Sequence, residues 1–153
     1  MKKIHFAWDF DGTVVESKRA DGSIWYPEIG PEIVSFIPDN DRDSFGDWGW
    51  NYFTGTSILR WVKDRGHDII LSTARRYGDE RNSLQMAIDF FEEKKVLDVF
   101  SAINENHPER IGRWGDTRKL TGDVIVDDAC ILWGRHDVDL YVVASMILKL
   151  ESE

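Results

Sequence analysis

Apolar residues along the chain gather into short dense runs, set apart by polar stretches that carry glycine and proline. Ile4 to Trp8 reads as a buried strand. Thr54 to Arg65 reads as a helix: Thr54 or Thr56 can cap it, Ile58, Leu59 and Val62 share a face, and Gly66 ends it. His67 to Leu71 is a second buried strand that runs into Ser72-Thr73-Ala74-Arg75-Arg76. Behind a cap at Asp79, Leu84, Ala87, Ile88 and Phe91 recur at helical spacing. Val96 to Ile103 and Val124 to Val126 give two more short strands. A closing helix runs from Leu140 to Leu150, with Asp137 or Asp139 near its start and β-branched Val142 and Val143 working against it. Strand alternating with helix predicts an α/β domain built on a parallel sheet.

The stretch between the first strand and the first helix obeys other rules. Asp21-Gly22 is a two-residue turn signal, predicting a hairpin from Val14 to Tyr26. Pro27, Pro31 and Pro38 break up the segment from Tyr26 to Asp39, and Glu32 to Phe36 has room for a short helical turn. Residues 38–53 are polar and glycine-rich, with Asp39, Asp41, Asp43 and Asp47 read as a solvated loop. The same loop carries Phe45, Trp48, Trp50, Tyr52 and Phe53, which either pack it onto the domain or offer a surface on which a flat ligand can stack. Asn104 to Arg113, polar and interrupted by Pro108, reads as loop.

With 153 residues, 42% hydrophobic and 31% charged, the chain has the size and composition of one soluble globular domain, residues 1–153. No apolar stretch is long enough to span a membrane, and Met1-Lys2-Lys3 leads directly into the first strand without a signal-peptide pattern. A single cysteine, Cys130, rules out an internal disulfide framework and fits a cytoplasmic setting, where it reads as a packed thiol. The net charge of −9 argues against broad electrostatic binding to nucleic acid or an anionic membrane. A phosphorylated small molecule remains compatible, because a bound cation can reverse the field locally.

Candidate chemistry gathers where strands end. Asp9 and Asp11 are spaced i, i+2 at the end of the first strand and start out on one face, and Gly12 then lets the backbone turn closely around a ligand. A helix–loop–helix calcium site fails on register, since the sixth and twelfth positions counted from Asp9 are Val14 and Ala20. Thr73 and Arg75 come after the second strand, where a hydroxyl and a guanidinium can both meet phosphoryl oxygens. Asp127 and Asp128 come after the brief strand at Val124 to Val126; two adjacent carboxylates at a buried strand end call for a cation. Lys119, next to Arg118, is a candidate counter-charge, either of the two being able to face inward. His5, His67, His107 and His136 show no metal-ligand spacing and read as structural or exposed.

Asp9-Phe10-Asp11-Gly12-Thr13-Val14 resembles the first motif of the haloacid-dehalogenase-like (HAD) phosphohydrolases. Ser72-Thr73-Ala74-Arg75, Lys119 and Asp127-Asp128 resemble the second, third and fourth motifs in the right order. The resemblance implies a three-layer Rossmann-like fold with the first strand central, a hairpin flap, and no large cap, residues 14–53 forming a flap and aromatic-loop insert. It implies Asp9 as the nucleophile that becomes an aspartyl-phosphate, and Asp11 as the acid and then the base. It places phosphoryl oxygens against Thr73 and the amides after Asp11, at Gly12 and Thr13, with Ala74 and Arg75 lining the substrate and Lys119 neutralising charge. Mg²⁺ would be held by Asp9, the carbonyl of Asp11 and Asp128, with Asp127 a direct ligand or one step out through water. Gly115-Asp116-Thr117-Arg118-Lys119 is similar to the phosphatase half of phage polynucleotide kinases. The substrate implied is a nucleotide or a nucleic-acid 3′ end, and the acidic balance favours the smaller molecule. The rival reading is a non-catalytic domain that binds a phosphorylated ligand on the same fold. Natural substrate and oligomeric state stay open.

Overall fold

The computed structural model describes residues 2–45, 51–114, 120, 122–129 and 136–153. The strands in chain order are β1 (His5–Trp8), β2 (Val34–Phe36), β3 (Tyr52–Thr54), β4 (Asp68–Leu71), β5 (Phe100–Ile103) and β6 (Val124–Val126). The helices are α1 (Gly55–Asp64), α2 (Ser83–Glu93), α3 (Pro108–Trp114) and α4 (Leu140–Glu151). A central four-stranded sheet runs in the order β5-β4-β1-β6 with every pairing parallel, so β1 lies inside it. β2 and β3 form a separate antiparallel pair. The result is a mixed α/β, Rossmann-like architecture.

Burial explains the frame. β4 is buried at all four positions and β1 at three, as befits strands covered on both faces. Phe10, just past β1, packs edge-on against Phe90 and Phe91 of α2. α1 is capped by Thr54, whose hydroxyl accepts from Ser57 N while the Ser57 hydroxyl accepts from Thr54 N, a reciprocal box. Its Ile58, Leu59, Trp61 and Val62 are buried, and the chain leaves it through Gly66 at φ +91°. Asp139 caps α4 by accepting from the amides of Tyr141 and Val142. The cap position of α2 is Asn82 rather than the expected Asp79, which instead accepts from Ser83 N at 2.7 Å from three residues further back. No helix among the described residues is long and apolar enough to cross a membrane.

Several elements depart from the sequence reading. Glu32 to Phe36 holds no helical turn: Val34 to Phe36 is a strand, because Tyr52 to Thr54 comes alongside to satisfy its backbone. The Asn104 to Arg113 stretch, read as loop, runs from Pro108 onward into α3, with Pro108 at its first position, where a missing N–H costs nothing. The third strand starts only at Phe100, after one 3₁₀ turn at Leu97–Val99. Asp21-Gly22 does form a turn, closed by Arg19 N donating to Ser23 O at 2.7 Å. The hairpin around it reduces to one bridge, Lys18 to Ile24, and Val15 pairs with Glu32 instead. Asp39 to Phe45 winds as a 3₁₀ helix and tucks Phe45 against Phe53, Trp61 and Tyr141. Trp48 and Trp50 lie outside the described residues, as do Arg118, Lys119 and Cys130.

Candidate active site

Parallel register builds the centre of the site. Trp8 of β1 pairs with Val126 of β6, and the Asp9 amide donates to the Val126 carbonyl at 2.9 Å. The next residues, Asp9 and Asp127, therefore leave the sheet side by side at its carboxyl edge. With Asp128 they form a cluster whose ligand oxygens all lie within 4.8 Å of one another. Burial pushes the Asp9 carboxyl up to about 8, helped by the charge of Asp127. Burial also raises Asp128, to about 6, with Asp127 adding to it. Three crowded, half-buried acids are a set of hard oxygen donors short of positive charge. They fit Mg²⁺, which takes carboxylates while keeping several waters.

Gly12 makes the close approach possible. It sits at φ +80°, and a Cβ there would lie 2.6 Å from Asp128 Cγ. Its carbonyl accepts from Val138 N at 2.9 Å, drawing the segment before α4 to the site. The expectation that amides after Asp11 wait for a phosphoryl group meets a correction here. Gly12 N donates to Val15 O, and Thr13 N and Val14 N both donate to Phe10 O, so the turn spends them on itself. Thr13 is fully buried with its hydroxyl 3.4 Å from Asp9 Oδ2, in position to steady that carboxylate.

Arg75 carries a second correction. Its side chain is 1% exposed and every N–H is engaged. Nε and Nη2 each meet one oxygen of Asp11 at 2.8 Å, Nη2 also donates to Glu28 O, and Nη1 donates to Pro27 O and Ser83 O. The guanidinium also lies over the rings of Phe10 and Tyr26. It has no donor left for a phosphoryl oxygen. It works instead as a clamp that fixes Asp11 by both oxygens and ties the flap loop to α2. Asp11 thus meets Arg75 with both carboxylate oxygens and is not one of the three acids that converge.

Thr73 stands at the carboxyl end of β4, partly buried, its hydroxyl oxygen accepting from Arg75 N at 3.1 Å. Ala74 beside it is exposed. Asn104 was missed by sequence reasoning. Its Oδ1 accepts from Thr73 N and its Nδ2 donates to Arg75 O, so it splints the turn that presents both residues. The available signal was an Asn directly after a strand, in a place where left-handed backbone is tolerated; its φ is 51°. Asp127 Oδ1 accepts from Ala129 N, shaping its own turn. Asp137, expected with Asp139 near the start of the last helix, accepts from the amide and hydroxyl of Ser17.

No protein-family model matches the chain. No curated protein matches it either. Among solved structures the chain is similar to a conserved protein from Bacteroides thetaiotaomicron, at 26% identity and a TM-score of 0.58. That likeness covers 95% of this chain and 92% of the other. It extends over the α/β architecture as a whole and carries no activity with it.

Proposed function

We propose that this chain is a Mg²⁺-dependent phosphomonoester hydrolase of the HAD type, acting on a small phosphorylated molecule such as a nucleotide. The observation that carries the reading is the meeting of Asp9, Asp127 and Asp128 at the carboxyl ends of adjacent parallel strands, with Asp11 two residues beyond the first. Ligands of open α/β sheets bind at that edge. Mg²⁺, held by Asp9 with Asp128 and Asp127, supplies charge neutralisation for an anionic phosphoryl group and for the crowded acids. An Asp9 oxygen attacks phosphorus, the bond from phosphorus to the leaving oxygen breaks, and that oxygen takes a proton from Asp11. Asp11 then takes a proton from water, whose oxygen attacks the same phosphorus and releases Asp9 and inorganic phosphate. Arg75 keeps Asp11 in one orientation through both proton transfers, and the Thr73 hydroxyl is placed to donate to a phosphoryl oxygen.

An aryl phosphate ester assayed with Mg²⁺ tests this. Turnover is expected that EDTA abolishes and that Asp9→Asn reduces below a few per cent of the parent rate, with the circular dichroism spectrum unchanged. A folded Asp9→Asn protein that keeps its rate refutes the covalent route. A parent protein inert toward aryl, nucleotide and 3′-phosphorylated oligonucleotide esters alike supports the non-catalytic reading.

A further inference from the structure

A second constellation lies at the other end of the sheet. His5 and Asp68 open β1 and β4 and are partners in the parallel register. His107, just ahead of α3, folds back to place Nδ1 2.8 Å from Asp68 Oδ2. Its ring stands edge-on to that of His5, with centroids 4.9 Å apart. One ligand atom from each of the three lies within 4.8 Å of the other two. Four residues of strand rise separate His5 from Asp9, about 13 Å, so this cluster stands apart from the carboxylates of the candidate active site.

Its chemistry differs as well. The donors are two imidazoles and one carboxylate, with His107 fully buried and Asp68 6% exposed. Asp68 Oδ2 and His107 Nδ1 already face each other at 2.8 Å, so one ion between them can take both as ligands. Glu109 holds His5 from outside, its Oε2 2.8 Å from His5 Nε2, while His5 Nδ1 faces Asp123 Oδ2 at the longer distance of 3.4 Å. The outer carboxylates are already neutralised, Glu109 by Lys3 and Asp123 by Arg110.

We propose that His5, Asp68 and His107 form a second metal site, for a divalent transition ion of the zinc class. Two nitrogens and one oxygen suit such an ion and do not suit Mg²⁺, which prefers oxygen ligands and keeps its waters. A tetrahedral ion sets its ligand atoms about 3.4 Å apart, so side-chain adjustments of about an ångström close the set. Bound there, the ion pins β1, β4 and the start of α3 together. Asn104, three residues before His107, holds the Thr73 and Arg75 turn, so the same ion steadies the scaffold of the distant site.

The test titrates chelator-treated, full-length protein with Co²⁺ in excess Mg²⁺ and monitors the visible absorption of Co²⁺ held by nitrogen. One equivalent is expected to bind, Zn²⁺ is expected to displace it, and Zn²⁺ is expected to raise Tm. The spectrum should survive in the Asp9→Asn, Asp128→Asn double variant and in His136→Gln. Affinity should fall about tenfold or more in His5→Gln and in His107→Gln. His107 is fully buried and its variant can fail to fold; His5→Gln, checked by circular dichroism, and the parent titration then carry the decision. Failure of the parent to bind Co²⁺, a spectrum lost with the Asp9 and Asp128 substitutions, or undiminished binding in folded His5→Gln each overturns the proposal.

Discussion

Replacing Arg75 with Met separates a structural clamp from a phosphate ligand. The substitution keeps roughly the length of the side chain and removes five donors. Two of these met Asp11, and three met the carbonyls of Pro27, Glu28 and Ser83. Removing one partner of a buried ion pair costs about 3–5 kcal/mol. Asp11 is 27% exposed, so water recovers part of its loss and the lower end applies. The Ser83 carbonyl at the start of α2 is left dry and adds about 1 kcal/mol. The sum, about 4 kcal/mol, lowers Tm by roughly 8–16 °C in a domain of this size. Scanning calorimetry of ligand-free protein reads it directly. Arg75→Lys recovers one or two of the five contacts and should fall between the two proteins. A phosphate ligand predicts the opposite pattern. An Arg75→Met protein that melts within about 3 °C of the parent yet no longer gains stability from added phosphate would refute the clamp.

Three further outcomes are expected from other parts of the fold. Gly12→Ala meets a left-handed backbone, which costs about 1–2 kcal/mol, and drives its Cβ into Asp128. Mg²⁺ affinity measured by calorimetry should fall about tenfold, about 1.4 kcal/mol of lost binding, and an unchanged affinity would show Asp128 to be no ligand. Phe45→Ala empties a site 3% exposed among Phe53, Trp61 and Tyr141 and should cost about 3–5 kcal/mol by urea denaturation; less than 1 kcal/mol would make that aromatic packing incidental. Glu151→Gln tests the tie between the ends of α4 and α1. Burial tends to raise the Glu151 carboxyl, but hydrogen bonds from Arg65 and His67 prevail and lower it. A lowered folded value means stability that is present above the ordinary glutamate range and lost as pH falls through the folded value. The variant should therefore be less stable than the parent by about 1–3 kcal/mol at pH 7, with the gap narrowing in urea melts taken toward pH 3. A gap independent of pH would mean the ion pair contributes nothing.

What could be read from the sequence divides by how far apart the interacting residues lie. β1, β4 and α1 announce themselves because burial on both faces of a strand, or along one face of a helix, leaves a mark within ten residues. α3 escaped because seven residues are too few to show a period and Pro108 reads as a break unless it occupies the first helical position. β2 escaped because Val34 and Phe36 are exposed, and only the arrival of β3 makes them a strand. The same rule governs the side chains. Gly12 was legible as a tight turn, but the engagement of its own amide with Val15 was not. Arg75 was legible as a cation after a strand; its commitment to Asp11, 64 positions away, exists only in the fold. His5 and His107 show no spacing because their meeting depends on β1, β4 and the chain after β5 coming together.

The crowding of acids at the carboxyl edge has one cause in topology and another in chemistry. Once Trp8 and Val126 pair, Asp9 and Asp127 must emerge as neighbours, since parallel strands advance in step. Gly12 then removes the side chain that would hold Asp128 off. Burial at that edge, with Asp127 adding to it, makes both Asp9 and Asp128 hold their protons more tightly. On the proposed reading Asp9 has to be ionised to attack, and burial with the charge of Asp127 works against that. A divalent cation among the three oxygens reverses that balance, releasing the proton and marking where an anionic group can bind. If the proposed hydrolase reading holds, removal of Mg²⁺ should abolish turnover by leaving Asp9 protonated as well as by removing a binding charge, and turnover that survives EDTA would refute this.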